Sequence, residues 1–287
     1  METQQQTKLR KATRKKAKIR LGLSAVSGGG KTYSAILIAK GLVNGDLSKV
    51  AIIDTENGSA DLYAHLGDYN VLPISAPFTP EKYIDAIKEC ENAGMEVIIV
   101  DSITHEWDGK GGILEISNSM TGNSYTNWAK ITPRHNAFID AILQSSSHII
   151  TTVRRKQDYE MTTNQAGKLT PVKVGLKEVT REGFEYELTV NLELDQKHNA
   201  TASKDRTGLF IDKPEFIPSE ETGRILLKWC ESGVEPIDER EAMDQNHKLF
   251  NDILAAIKAK KRTVEAIEKK FKLTDTAKNI LIDNIPQ

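Results

Sequence analysis

Cysteine is scarce: Cys90 and Cys230 are the only two in 287 residues, and they lie far apart with no metal-ligand spacing. They read as reduced thiols of a cytosolic protein rather than as part of a disulfide framework. No apolar stretch is long enough to cross a bilayer, and no apolar segment follows the basic residues near the start. A membrane anchor and a secretory leader are therefore not expected, and a cytoplasmic location is. Net charge is also nearly absent, at −1. Without a global basic field, any contact with nucleic acid has to be local. No Asn-Lys-x-Asp guanine reader occurs, which disfavours a GTPase, and no internal repeat is found.

What is present begins at residues 25–32, Ala-Val-Ser-Gly-Gly-Gly-Lys-Thr. A strand-like segment, residues 19–24, precedes it and a helix-like one, residues 33–40, follows, which is the context a phosphate-binding loop requires. Gly28, Gly29 and Gly30 let backbone N–H groups turn inward around an anion at a helix N-terminus. Lys31 is placed to reach the β- and γ-phosphates, and the Thr32 hydroxyl to bind Mg²⁺. Ala25, Ser27 and Tyr33 complete the expected nucleotide-binding set. Ala25 stands where such loops usually have their first glycine, with the spacing to Lys31 intact.

Length fits one large α/β domain with a small appendage. Short, nearly continuous apolar runs at residues 50–53, 97–100 and 148–153 read as strands buried on both faces of a parallel sheet. Helical patterns alternate with them, one opened by Thr79-Pro80 and one over residues 133–145. Residues 155–182 are polar and poorly periodic, and read as a long loop with a short hairpin. Residues 184–194 alternate as one half-exposed strand, residues 196–199 turn it into a second, and Ser219 caps a helix to about residue 232. Three divisions follow: a basic arm over residues 1–17, a core over 18–233 and a helical tail over 234–287. The arm would touch DNA or another subunit, or be a solvated tail.

Residues 96–102, Glu-Val-Ile-Ile-Val-Asp-Ser, form an apolar strand ending in an acid, and Asp101 would complete the metal site begun by Thr32. Ser102 stands where many phosphate-loop ATPases have a glutamate. A water-activating base is instead found at the end of the second strand, in Ile53-Asp54-Thr55-Glu56, where Glu56 would face the phosphate crevice. The competing reading is that Asp54 or Glu56 caps the following turn. Glu106 is the second candidate base.

Strand-Asp-x-Glu after a phosphate loop, followed by strand-Asp-Ser, resembles the RecA family of recombinase ATPases. The likeness covers about residues 18–212 and is nearest to the compact RecA-like ATPases of bacteriophages, encoded near single-strand annealing and recombination genes. It implies a RecA-like α/β core with a mostly parallel twisted sheet flanked by helices, a β-hairpin extension and a small C-terminal helical tail. It further implies Glu56 as catalytic base, ATP and Mg²⁺ as ligands, and Arg154 at the γ-phosphate sensor position, where bacterial RecA has an amide. Lys204-Asp205-Arg206 resembles the family's basic pair, inserted toward a neighbouring subunit's nucleotide. Arg155, Lys156, Lys168 and Lys173 would face single-stranded DNA. Trp107 or Tyr125 would stack on bases or belong to the core.

The implied activity is a Mg²⁺-dependent ATPase, stimulated by single-stranded DNA and assembled as a homo-oligomeric ring or filament. Its implied role is recombination, annealing or repair, together with an annealing or single-strand binding protein. A helicase or helicase loader, a small-molecule kinase and a non-hydrolysing ATP-dependent binding module are the alternatives. Only about 18 residues precede the core, which weighs against a helicase.

Overall fold

The computed structural model describes residues 11–163, 169–234 and 240–285. The chain divides into two units, residues 1–234 and residues 235–287. The first opens with β1 (Arg20–Ala25), α1 (Lys31–Leu42), β2 (Val50–Asp54), β3 (Asn70–Pro73), α2 (Pro80–Asn92) and β4 (Val97–Asp101). Three helices follow: α3 (Thr104–Asp108), α4 (Ile113–Ser119) and α5 (Ser124–Gln144). The remainder is β5 (His148–Thr163), β6 (Leu169–Glu178), α6 (Phe184–Glu187), β7 (Val190–Leu194), β8 (Ala200–Asp205) and α7 (Glu220–Glu231).

The sheet runs β3-β2-β4-β5-β1-β7-β8, with β6 paired to the outer part of β5. Pairing is parallel from β3 through β7, whereas β6 and β8 run antiparallel to their neighbours. Residue alternation explains why both faces are covered. On β2 and β4, Val50, Ile52, Val97 and Ile99 enter one apolar layer beneath α1 and α7. Ala51, Ile53, Ile98 and Val100 enter the other, beneath α2 and α5. Strands of Val and Ile buried on both sides have no polar face to offer water, so the helices must lie on both faces. The expected mixed α/β fold with a mostly parallel sheet flanked by helices is present.

Two internal contacts fix the site-bearing elements. The Arg20 guanidinium, 7 % exposed, donates to the carbonyls of Leu143, Ser145 and Ser147, where α5 ends. A cation there satisfies orphan carbonyls and meets the negative end of the helix dipole, while burial draws its pKa down to about 10. On the other face, α1 crosses α7 at Gly41 and Gly223. A Cβ on Gly223 would stand 2.1 Å from the Ile38 carbonyl oxygen, so the two backbones touch where any side chain would part them.

Several local expectations need correction. Residues 184–194 are not one strand: Gly183 takes a left-handed conformation (φ 91°), residues 184–187 make one helical turn, and only Val190–Leu194 is a strand. Apolar residues at 184, 186 and 188 alternate with glutamates and read as a period of two, but the turn buries Phe184 and exposes Tyr186, which a strand would place on one face. Residues 155–182 are mostly a long hairpin rather than a loop, because β5 continues to Thr163 and pairs with β6. Its polarity follows from exposure of the described hairpin surface rather than from lack of structure. The helix read from residue 133 begins at Ser124, capped by Asn123, and Pro133 lies inside it.

Residues 14–17 of the basic arm run along the end of α7. Arg14 lies over the Trp229 ring at 4.4 Å, and Lys16 N–H donates to the Val234 carbonyl. The second unit consists of β9 (Glu241–Met243), α8 (Phe250–Lys258), α9 (Val264–Glu268), β10 (Phe271–Leu273) and α10 (Asp275–Asp283). Its strands form a parallel pair, so the tail is not purely helical. Three-residue strands are too short to display a period, so residues 241–243 and 271–273 carry no strand signal in the sequence. Among the described residues no helix is long and apolar enough to cross a membrane.

Candidate functional site

The parallel strands β1, β5, β4 and β2 end side by side, and their C-terminal edge opens into a cavity of about 860 Å³. Crevices at the carboxyl ends of parallel strands are where α/β sheets bind ligands, and the volume suits a nucleotide-sized one. The first wall is the loop between β1 and α1. Gly28 and Gly30 have φ of 79° and 81°, and Gly30 is the N-cap of α1. An L side chain at either would be strained, so glycine is required for the loop to turn its amides inward. The first turn of α1 carries no acidic residue, which leaves the positive end of its dipole open to an anion.

Ser27, Gly28, Gly30, Lys31, Thr32 and Tyr33 line this wall. Ala25 and Gly29 do not. Ala25 is fully buried, and a Cβ on Gly29 would come within 2.6 Å of its methyl group. The Lys31 ammonium lies 3.4 Å and 3.3 Å from the carbonyl oxygens of Ala25 and Val26. Burial draws its pKa down, against the upward pull of Asp101 and Glu56.

The floor is Asp101, 2 % exposed at the end of β4. Thr32 Oγ1 donates to its Oδ2 at 2.6 Å, and Thr152 on the intervening β5 donates to Oδ1. Burial pushes the Asp101 carboxyl up, against these hydroxyl bonds. A carboxylate so buried, with hydroxyl donors and one ammonium nearby, is a donor set that a hard cation satisfies.

The far wall carries Glu56 and Arg154. Arg154 reaches across from β5 and holds Glu56 with two hydrogen bonds, Nε to Oε1 at 3.0 Å and Nη2 to Oε2 at 2.5 Å. Ser102 adds a third, Oγ to Oε1 at 3.2 Å. Burial raises the Glu56 pKa, but the Arg154 fork, with His105 and Ser102, outweighs it and the net direction is down. The base candidate is thus kept ionised. Turn capping falls to its neighbour: Asp54 accepts from the Glu56 and Ala60 amides at 2.6 Å and 3.1 Å. Glu56 is left to face the cavity.

Thr55 ties the second and fourth strands together, with its amide on the Asp101 carbonyl and its hydroxyl 2.7 Å from His105 Nδ1. Glu106, the second candidate base, points elsewhere. It is 1 % exposed, 3.0 Å from His135 Nδ1, and does not line the cavity.

Sequence reasoning missed the rest of the lining. His198, at φ 67° in the β7–β8 turn, leans over Gly30, so close that a Cβ there would lie 2.8 Å from its Nδ1. Tyr63 meets Tyr33 edge to face at 6.0 Å, and Ile217, Pro218 and Ser219 also line the cavity. These residues come from a turn, a short 3-10 helix over Ala60–Leu66 and the start of α7, and only the folded chain brings them to the loop.

The remaining predicted residues lie away from the cavity. Lys204 and Arg206 both donate to the Tyr186 carbonyl and line no part of their own chain's cavity. Arg155 pairs with Glu193 at 2.7 Å, Lys156 with Asp108 at 3.7 Å, and Lys173 is exposed on β6. Lys168 lies outside the described residues. Trp107 packs against Trp128 at 5.9 Å and His135 at 5.5 Å, whereas Tyr125 is 85 % exposed. A family model described as an AAA domain matches residues 17–218 of the 287. No curated protein matches the chain.

Proposed function

The chain belongs to the AAA domain family, and from that premise we propose that it binds ATP with Mg²⁺ and hydrolyses it while assembled on single-stranded DNA. An AAA-type phosphate-loop domain is a nucleotide-hydrolysing domain. The finer reading, a RecA-like protein serving recombination, annealing or repair in a phage or its bacterial host, is supported by one observation above the others. Glu56 stands at the cavity wall, ionised, aimed inward and held by Arg154.

Thr32 and Asp101 are the residues that would hold the cation, which supplies neutralisation of phosphate charge when bound. The loop amides and Lys31 orient the triphosphate. Glu56 then accepts a proton from the water that attacks the terminal phosphorus, and Lys31 and Arg154 offset charge developing on its oxygens. Because Arg154 is already committed to Glu56, an incoming terminal phosphate must share it. The base is therefore released toward water as the sensor turns to the phosphate.

Coupling to DNA is supported by continuity of chain. Arg154 lies on the same strand as the β5–β6 hairpin that carries Arg155, Lys156 and Lys173. Lys204 and Arg206, outside their own cavity, are assigned to a neighbouring subunit's nucleotide.

The deciding experiment is steady-state ATP turnover with and without single-stranded oligonucleotide. Turnover that rises severalfold with DNA is expected. Turnover indifferent to DNA would remove the DNA part of the proposal, and no turnover under either condition would remove hydrolysis.

A further inference from the structure

The C-terminal unit carries a feature that nucleotide chemistry does not use. Between α8 and the segment leading through α9 into β10 lies a groove of about 550 Å³. Its floor is apolar, built from Leu249, Ile253, Ala256 and Phe271. Ile253 is 3 % exposed and belongs to the unit's core, whereas Leu249 is 39 % exposed and offers its side chain to the opening. The rim is cationic. Lys261, Arg262 and Lys270 line it, all are exposed, and none forms an ion pair among the described residues. Asp252 is the single acid on the rim. The charge extends beyond the groove: residues 258–272 contain Lys258, Lys260, Lys261, Arg262, Lys269, Lys270 and Lys272 against Glu265 and Glu268. Glu268 is occupied by Lys278 at 2.6 Å.

Cations on a solvated face need no explanation, and a single exposed Leu needs none either. Their combination does. An apolar floor ringed by unpaired cations favours a ligand that is apolar at its centre and anionic at its edges. Nucleic acid meets only half of that description. Single strands bind through phosphates together with bases stacked on exposed aromatic faces. Within residues 240–285 the only Phe, Tyr or Trp residues are Phe250 and Phe271. Phe250 is 3 % exposed, and Phe271 is partly buried with its ring edge-on to His247 at 5.6 Å. No stacking platform is offered.

We infer that the Leu249–Phe271 groove is a docking site for an acidic peptide segment of a partner protein, anchored by one or two apolar side chains. The apolar anchor enters over Leu249 and Phe271, while flanking carboxylates meet Lys261, Arg262 and Lys270. Burial supplies affinity, and the charges supply orientation and rate of encounter. The inference is independent of the nucleotide site.

The test is fluorescence anisotropy on the full chain, using a labelled peptide with a central Leu-Phe flanked on each side by three aspartates. Saturable binding is expected, weakened about tenfold when Leu-Phe is replaced by Ala-Ala, and at least as much by Lys261→Glu with Arg262→Glu. Both substituted positions are exposed, so the variant keeps its core, and an unchanged thermal midpoint verifies this. Equal binding of the Ala-Ala peptide would reduce the site to non-specific charge and overturn the groove. Absence of binding would overturn it too. So would displacement by unlabelled oligothymidylate that is lost in the double variant, because nucleic acid would then be the occupant.

Discussion

At the residue scale the proposed chemistry turns on Arg154, because its hydrogen bonds draw the Glu56 pKa down against burial. Burial alone raises a carboxyl pKa and would bring a buried base toward its protonated, inactive form; the guanidinium fork reverses this. Arg154→Ala is therefore expected to move the acidic limb of the rate–pH profile upward and to lower kcat by about a hundredfold. A limb that stays in place would show that Arg154 does not hold the base. His148 gives an independent check on the interior. Its Nδ1 accepts from the Ile19 amide at 3.0 Å, and burial, helped by Lys18 and Arg20, lowers its pKa to about 3. The folded state binds this proton only near that value, whereas the unfolded chain binds it near the ordinary histidine value. Stability contributed by neutral His148 is thus complete above the ordinary value and lost as pH falls toward 3, by about 1.4 kcal/mol per unit. Thermal melts between pH 7 and pH 4.5 should show this loss, and His148→Gln, which keeps an acceptor, should blunt it. Lys31, Thr32, Asp101 and Glu56 were legible because each occupies a fixed offset from a strand end or glycine run. His198 and Tyr63 were not, because nothing local distinguishes a residue of a turn or short 3-10 helix that will meet the loop from one that will not.

At the scale of elements, the phosphate loop is held by what α1 packs against. The contact of Gly41 with Gly223 lets α1 and α7 approach backbone to backbone, and the loop inherits that position through Gly30. Gly223→Ala would put a methyl against the Ile38 carbonyl oxygen, so α1 must shift. A cost of about 1–3 kcal/mol is expected, with weaker nucleotide binding as a consequence. Denaturant unfolding and nucleotide titration of this variant, beside the exposed Arg224→Ala, measure both, and equal stability of the two would refute the close contact. The strands of the sheet could be read in advance because Val-Ile runs buried on both faces have few other uses. The β5–β6 hairpin could not, since its long polar strands lack the apolar alternation that marks a strand on a core. Residues 184–187 misled for the opposite reason: Phe184 and Tyr186 alternate with Glu185 and Glu187 as in a strand, yet they sit on a single helical turn that buries the first ring and exposes the second.

For the whole molecule, the placement of Lys204 and Arg206 outside their own cavity makes assembly the central question. If they act across an interface, Arg206→Ala alone should lose hydrolysis, and mixing it with Lys31→Ala should restore part of it. One partner then supplies an intact cavity and the other an intact finger. Failure of every mixture to recover activity would exclude the shared site. A phosphate-loop nucleotide domain and the sheet were within reach of sequence, whereas the cationic groove of the C-terminal unit was not, because its floor comes from two segments joined only by folding. Every proposed step at the cavity depends on Glu56 acting as the base of a nucleotide-hydrolysing site. Single-turnover ATP hydrolysis by Glu56→Gln, with nucleotide affinity measured on the same sample, tests this directly. Affinity within about twofold of the parent, with hydrolysis at least about a hundredfold slower, is the expected result. Hydrolysis at the parent rate with intact binding would contradict the account.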